Sequence, residues 1–331
     1  GFSETMLNSG STLLTDVQVA IENFPELLRM ASEIDLNYKD VVNSYKTEFP
    51  VIFKVEAKTL ETAYLEWKNI GNSSNKLEKA QQIFSSIKAM QFNFPMLKEQ
   101  SVKIEDAYTK LVDFYKKTFP TVYEAEVVTL PIDAYRATDN STKKLEEGMV
   151  LLDKADRLGQ FYKVHLDQKA LITDQMVRFT ENYKKQFPVV YKFENERLTA
   201  LKTTYELVGH SESKIEKANL LLSEAESVNS HKAELVSQAA EIALKFADFE
   251  SKFKKNKPNA VLYKKAKMMY NTRFKEFADE GSAKAKVEKG RKLLGAMAVV
   301  LNKYTTDNTM LCKTLKEVKT ANEVEALLGI R

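Results

Sequence analysis

The sequence of 331 residues has few of the residues that break helices, cross-link chains or build enzyme sites. A single cysteine, Cys312, excludes an intrachain disulfide and leaves the compartment open, because proteins outside the cytosol also fold without disulfides. With only 10 glycines and 7 prolines, and apolar residues recurring every three or four positions, the chain is predicted to be almost wholly α-helical. No apolar run approaches the roughly 20 residues of a membrane span.

The first residues, Gly1 to Met6, contain neither the basic nor the apolar region of a signal peptide. Because the chain starts on glycine, we expect a processed or trimmed product from which a signal or anchor has been removed upstream. The localisation stays unknown at this stage.

The residues of catalytic and metal sites are scarce. The three histidines, His165, His210 and His231, form no paired-His or Glu-x-x-His pattern, so no zinc or di-iron site is expected. Glycine-rich phosphate loops and the Gly-x-Ser-x-Gly nucleophile turn are missing from the sequence. Cys312 lies beside a weak apolar stripe and is interpreted as a half-buried thiol. We therefore predict no enzymatic activity, no catalytic residue, no metal and no cofactor.

A six-residue segment that ends in proline recurs along the chain. The copies are 45–50, 115–120, 183–188 and 253–258. The prolines recur with a period of about 70 residues, which indicates tandem structural units. Proline disfavours the helical conformation of the preceding residue and is well tolerated as the first residue of a helix, so each segment is predicted to end one helix and start another.

An apolar stripe precedes each proline segment, with spacings of four, three and four residues. Its members are Ile34, Tyr38, Val41 and Tyr45; Ile104, Tyr108, Leu111 and Tyr115; Ile172, Met176, Phe179 and Tyr183; Ile242, Phe246, Phe249 and Phe253. This spacing places each set on one helix face, as in helical bundles. The N-terminus follows the same register, because Leu7, Leu14, Val17, Ile21 and Phe24 match Leu77, Phe84, Ile87, Gln91 and Phe94.

A second helix follows each proline and is predicted to stop at Gly71, Gly209 and Gly281, since glycine readily forms a left-handed helix end. Pro131 is expected to bend or end the second copy's helix. A third helix then starts on serine-rich caps. The predicted fold class is all-α, with tandem three-helix repeats of about 70 residues. The predicted domains are 1–70, 71–140, 141–210, 211–281 and a partial C-terminal repeat, 282–331.

The junctions between repeats decide the predicted shape. The segment 211–256 contains no proline or glycine and is compatible with one continuous helix, whereas Pro25, Pro95 and Gly159 are expected to bend or break the earlier junctions. With continuous junctions the architecture resembles spectrin-type arrays, in which antiparallel three-helix bundles share helices and form an elongated rod. The resemblance is architectural, because the unit here is shorter. The alternative is an α-solenoid of units stacked side by side.

Charge is distributed unevenly although the net charge is only +4. Residues 1–70 contain six basic and eleven acidic residues, whereas residues 282–331 contain ten basic and five acidic ones. An acidic start and a basic end favour head-to-tail self-association. The candidate contacts for an anionic partner are Lys254, Lys255, Lys257, Lys264, Lys265, Lys267, Lys284, Lys286, Arg291 and Lys292. Acidic residues interrupt this run, so a solvated helix face is the favoured interpretation.

Three functional hypotheses remain. The first is a non-enzymatic structural spacer or protein-protein interaction scaffold. The second is a surface or envelope binding module, from a lipid-anchored or secreted precursor, which a large exposed apolar patch would favour. The third is binding of nucleic acid or an anionic membrane through the basic C-terminal region. A protein partner or self-association is expected, and a small-molecule substrate is not.

Overall fold

The computed structural model describes residues 2–254, 260–303 and 309–330, and every regular element in this part of the chain is a helix. The prediction of an all-α fold is therefore confirmed. The chain divides into two compact units, one that ends at Tyr162 and one that begins at Lys163.

In the first unit, long helices alternate with short ones. The elements are α1 (Phe2–Glu48), α2 (Pro50–Ile52), a π-helical turn (Phe53–Ala57), α3 (Lys58–Lys68), α4 (Ser73–Thr118), α5 (Pro120–Val122), a second π-helical turn (Tyr123–Val127), α6 (Ile132–Ala137) and the start of α7 (Ser141–Tyr183). Two buried clusters hold this unit together. One joins α1, α3 and the first half of α4, and the other joins the second half of α4, the segment 119–135 and α7.

The second unit contains the rest of α7 and the remaining helices. They are α8 (Pro188–Leu207), α9 (Ser211–Ser230), α10 (Lys232–Lys254), α11 (Ala260–Ala278), α12 (Ala283–Lys303), α13 (Thr309–Leu315) and α14 (Ala321–Leu328). One cluster of buried side chains runs from Ile172 to Leu328. The isoleucines of the four predicted stripes, in both units, are all at most 3% exposed: Ile34, Ile104, Ile172 and Ile242.

The proline segments end and start helices as predicted. Phe49, Phe119 and Phe187 leave the helical conformation, with φ between −132° and −138° and ψ of 64° to 67°, and the following proline takes the first helical position. The fourth segment, 253–258, lies mostly outside the described residues. The expected interruption at Pro131 is also present, because regular helix ends at Val127 and resumes at Ile132.

The junctions at Pro25, Pro95 and Gly159 are not broken, and the segment 211–256 is not one continuous helix. Helices α1 and α4 continue through Pro25 and Pro95, and α7 continues through Gly159. Both prolines are exposed to solvent, so water can satisfy the carbonyl group that loses its helical hydrogen bond. The proline-free segment 211–256 is instead interrupted at His231.

The backbone at His231 has a tight turn. The N–H of His231 bonds to the carbonyl of Val228, 3.2 Å away, which tightens the turn. The same carbonyl accepts a hydrogen bond from the hydroxyl of Tyr183, and the side chain of Asn229 donates to the backbone carbonyl of Gln175. The break thus lies beside contacts with α7 and forms without a proline or glycine.

The predicted left-handed helix ends at Gly71, Gly209 and Gly281 do not form. Among the described residues only Gly329 has a positive φ, of 69°. Gly281 is required for a different reason, because a Cβ there would lie 2.7 Å from the Cβ of Phe193. Instead, the last carbonyl groups of the helix before each of these glycines accept hydrogen bonds from a lysine near the start of the next helix.

Four lysines at equivalent positions of the sequence pattern make this contact. Each donates its ammonium hydrogens to backbone carbonyls six to nine residues earlier in the chain: Lys76 to residues 68 and 70, Lys144 to 135 and 136, Lys214 to 205, 206 and 208, and Lys286 to 277, 278 and 280. A cation at the C-terminal end of a helix also interacts favourably with the helix dipole. The second, third and fourth of these lysines are at most 5% exposed.

A tyrosine contact also recurs. The hydroxyl groups of Tyr45, Tyr115 and Tyr183 donate to the carbonyls of Met90, Leu158 and Val228, at 3.0, 2.8 and 2.5 Å. Each tyrosine closes the apolar stripe before a proline segment and is fully buried. Each contact joins the end of one helix to the middle of the following long segment, 43 to 45 positions later.

In each unit a glutamate joins a short helix to a distant helix start. Glu56, in the first π-helical turn, accepts from the side chain of Asn140 at 2.6 Å and from the N–H of Ser141 at 3.0 Å. In the second unit, Glu194 of α8 accepts from the N–H of Ala283 at 2.9 Å. Both carboxylates lie at the positive end of a helix dipole, where negative charge is favourable.

Candidate interaction surface

The basic run predicted from the sequence is only partly available for a partner. Lys255, Lys257 and the side chain of Lys254 lie outside the described residues. The other seven side chains are on α11 and α12, and four of these seven bind groups of their own unit.

Lys286 is 4% exposed and bonds to three carbonyl groups, so it has a structural role and presents no charge to a partner. Burial lowers its pKa. Lys265 is half-buried and donates to the carbonyl of Val318. Lys267 forms an ion pair with Glu250 at 2.8 Å, which raises the pKa of the lysine.

Arg291 donates two hydrogen bonds to the carboxylate of Glu234, at 2.6 and 2.7 Å, and this contact raises the pKa of the arginine. Lys264, Lys284 and Lys292 are exposed and form no ion pair within the part of the chain that the structure describes. Lys284 and Lys292 are eight positions apart on α12, close to two helical turns, and therefore share a face. The described part of this basic surface is thus reduced to three free lysines.

Exposed large apolar side chains are concentrated on the N-terminal part of α1, at residues 2–28. Nine large apolar side chains there are 48% to 93% exposed: Phe2, Met6, Leu7, Leu13, Leu14, Val17, Ile21, Phe24 and Leu28. We call this set the α1 stripe. The same helix is covered from Met30 to Tyr45, where its buried residues pack against α3 and α4. Soluble monomers rarely expose apolar patches larger than a few hundred Å².

Three members of the α1 stripe correspond to residues that are covered in α4. Leu7, Leu14 and Val17 occupy the same places in the sequence pattern as Leu77, Phe84 and Ile87. Ile87 is fully buried, and Leu77 and Phe84 pack against the same core. The sequence pattern therefore locates an apolar face on α1, but it does not reveal that the described residues leave this face uncovered.

Cavities of about 400 and 320 Å³ in the first unit and about 720 Å³ in the second are grooves between helices. The cavity in the second unit is lined mainly by apolar and aromatic residues such as Phe246, Tyr270 and Phe274. Within the described residues, no group of three or more His, Cys, Asp or Glu side chains is arranged to hold a metal ion. His165 is buried and Cys312 is half-buried. Among the described helices, none has the length and apolarity to cross a bilayer.

Comparison with protein-family models, with curated proteins and with solved structures finds no match to this chain.

The sequence interpretation missed the recurring lysines and the two glutamates that bond helix ends. A signal for the lysines was present. Lys76, Lys144, Lys214 and Lys286 each follow a large aromatic residue by nine positions: Trp67, Tyr135, Tyr205 and Phe277. This spacing joins the last turn of one helix to the first turn of the next, which is where a cation can bond free carbonyl groups.

Proposed function

We propose that this chain is a non-enzymatic helical repeat protein that serves as an elongated spacer or a protein-protein interaction scaffold. In this proposal each repeat is a three-helix bundle of about 70 residues, and long helices such as α4 belong to two neighbouring bundles. This sharing of helices is the feature in which the proposed array resembles spectrin-type arrays.

The single observation that carries the proposal is the recurrence of the same buried hydrogen bonds at one period. The tyrosine-to-carbonyl contact occurs three times and the lysine contact four times, each at the period of the proline segments. Such contacts depend on the relative position of three helices, so their recurrence favours one bundle built repeatedly over unrelated helical packing.

The glutamate contacts supply a link between successive bundles. Glu56 and Glu194 each bond the start of a helix that lies 85 or 89 residues later, which is more than one period. In repeat proteins, stability comes from such contacts between neighbours as well as from each unit. A stiff array has the mechanical property that a spacer needs.

A second candidate function, a binding module that recognises a macromolecule with one face, is favoured by the α1 stripe. The third, recognition of nucleic acid or anionic membrane, has less support, because only three lysines of the described basic run are exposed and unpaired. The scaffold and binding roles are compatible, since an array can also carry a binding face.

Small-angle X-ray scattering tests the proposed array. A compact protein of this length has a radius of gyration of about 20 Å. We expect a clearly larger radius and a distance distribution with a long tail, as for a rod. A radius near the compact value would reject the elongated array, and an intermediate, flat distribution would favour the α-solenoid.

A further inference from the structure

The helices α8 and α11 hold equivalent positions in the sequence pattern, but different parts of the chain pack on them. On α8, Glu194 bonds the N–H of Ala283, so the start of α12 docks there. When the two helices are aligned on their recurring lysines, the residue of α11 that matches Glu194 is Ala266, whose side chain cannot accept a hydrogen bond. Here α13 and α14 pack on α11, and Lys265 donates to the carbonyl of Val318 between them.

The face of α11 that α13 and α14 contact is apolar at its centre and basic at both ends. Met269 lies about one helical turn from both Lys265 and Arg273 on the same face, and it is fully buried. Its counterpart on α8 is Arg197, whose side chain is 41% exposed. Arg273 donates two hydrogen bonds to the carboxylate of Glu325 in α14, at 2.6 and 2.5 Å. We call Lys265, Met269 and Arg273 the α11 site.

The helix on this site, α14, has the pattern of an amphipathic helix that binds in a groove. Ala321, Val324 and Leu328, at positions i, i+3 and i+7, are at most 8% exposed, and Glu325 at position i+4 reaches Arg273. Grooves that bind helices recognise apolar side chains at this spacing. The α11 site therefore fits a helix with apolar residues at these three positions and a carboxylate at position i+4.

Both ends of α14 are closed by its own flanking residues. Thr320 and Glu323 form a capping box at its start, and Gly329 closes its end in a left-handed conformation. The helices α3, α8 and α11 depend on a lysine of the next helix for their last carbonyl groups. With eight residues, α14 is too short to be stable alone. It is thus a self-contained element held by few contacts, and such elements open locally more readily than a core.

We propose that the α11 site binds an acidic amphipathic helix, that α14 occupies the site in this structure, and that a helix of the same pattern on another protein displaces α14. The contact with α14 then keeps the site closed until a helix with higher affinity for it is present. The contacts that carry this inference lie in the second unit, so it does not rest on the proposed array.

The test measures the binding of a fluorescent peptide of residues 318–330 to the full chain by fluorescence anisotropy. In the natural chain α14 competes with the peptide, so the apparent affinity falls with the fraction of molecules in which the site is open. In Val324→Asp/Leu328→Asp, called the opened variant, α14 no longer packs on α11, and we expect the peptide to bind at least about tenfold more tightly than to the natural chain. The matched control, Ala326→Asp/Leu327→Asp, adds the same charge to the exposed face of α14 and is expected to bind the peptide as the natural chain does.

The ion pair between Arg273 and Glu325 provides a second readout, which depends on charge. Adding Arg273→Glu to the opened variant is expected to weaken peptide binding by about tenfold or more, because hydrogen bonds between charged groups contribute more than neutral ones. A peptide with Glu325→Arg is expected to regain binding to this charge-reversed variant. Circular dichroism and thermal unfolding verify that each variant keeps its fold.

Hydrogen exchange tests the displacement in the natural chain, without any variant. The amides of α14 are expected to exchange by local opening, faster than those of α11. An excess of isotope-labelled peptide is expected to accelerate exchange in α14 of the chain, while α11 stays protected because the peptide takes the place of α14.

Exchange of α14 only through global unfolding would show that this helix is a permanent part of the core, and would overturn the proposal. So would peptide binding that the opened variant does not strengthen, or that charge reversal at Arg273 leaves unchanged. Small-angle scattering from the natural chain measures the proposed array separately, so failure of one proposal is distinguishable from failure of the other.

Discussion

Lys214 places its ammonium group 2.9 Å from the backbone carbonyl oxygen of Tyr205, at the end of the preceding helix. The same group donates to the carbonyls of Glu206 and Val208, at 3.2 and 3.0 Å, while the side chain is only 2% exposed. Burying a charged amine is unfavourable unless its hydrogens are bonded, and here three carbonyl acceptors are available. One lysine therefore donates to three carbonyl groups at the end of a helix.

Replacing this lysine with methionine removes the donor of all three hydrogen bonds. For Lys214→Met we expect the free energy of unfolding to fall by about 1–3 kcal/mol, the contribution of hydrogen bonds from a charged donor. Urea unfolding followed by circular dichroism measures the change. The control is Lys217→Met, at an exposed position of the same helix, which is expected to change stability by less than about 0.5 kcal/mol. Equal stability of the two variants would show that the buried contacts contribute nothing.

Stability is also expected to depend on pH through Lys214. Burial lowers the pKa of this amine to about 8, whereas a lysine in an unfolded chain has a pKa of about 10.4. Between about pH 8 and pH 10 the unfolded chain therefore keeps a proton that the folded chain has released, and the free energy of unfolding rises with pH.

Across this window we expect the stability of the natural chain relative to Lys214→Met to increase by about 2 kcal/mol. Urea unfolding of both proteins at a series of pH values measures this difference, and groups common to both cancel. A difference that stays constant or falls as the pH rises would mean that the folded pKa is not lowered.

Two buried tyrosines of the second unit provide a matched pair. The hydroxyl of Tyr183 donates to the carbonyl of Val228 at 2.5 Å, whereas the hydroxyl of Tyr205 has no hydrogen-bond partner among the described residues. Burial raises the pKa of both, that of Tyr205 to about 12. An unpaired buried hydroxyl costs free energy, while a bonded one contributes about 1 kcal/mol.

We therefore expect Tyr183→Phe to lower the free energy of unfolding by about 1 kcal/mol and Tyr205→Phe to leave it unchanged or raise it slightly. Chemical unfolding of the two variants under the same conditions gives the comparison. If Tyr205→Phe is the more destabilised of the two, the assignment of these hydrogen bonds is incorrect.

The helical class and many helix boundaries could be predicted from sequence because they depend on local chemistry. The turn before Pro50 follows from the geometry of proline, and the burial of Ile34 follows from a stripe at helical spacing. The continuity of α1 through Pro25 depends on whether the proline faces solvent, which is a property of the packed molecule. The break at His231 lies where Tyr183 and Gln175, far earlier in the chain, contact the helix, and no proline or glycine marks it in the sequence.

The candidate surfaces were less predictable, because the exposure of a side chain also depends on which helices pack against it. Lys286 and Lys284 are two positions apart in sequence, yet one is buried and the other is exposed. A count of charges treats the two lysines alike, because it does not show which of them donates hydrogen bonds to carbonyl groups at the end of the preceding helix. In the same way Leu14 and Phe84 have equivalent positions in the pattern, and within the described residues only the second has a neighbouring helix to cover it.

The contact between Glu194 and the start of α12 yields a further prediction. The Glu194 carboxylate is 2% exposed, accepts from the N–H of Ala283 at 2.9 Å and pairs with Arg197 at 2.9 Å. Glu194→Ala removes the acceptor and leaves a buried N–H without a partner, so we expect a loss of about 2–3 kcal/mol in the free energy of unfolding.

Hydrogen exchange shows whether this loss of stability originates at the start of α12 or in the whole second unit. In Glu194→Ala the amides at the first turn of α12 are expected to exchange much faster, whereas those of α9 should change only in step with global stability. Glu196→Ala, at an exposed position of the same helix, is the control and should change neither the stability nor the exchange. Uniform acceleration over the whole second unit, with no excess at residues 283–286, would show that Glu194 does not hold α12 in place.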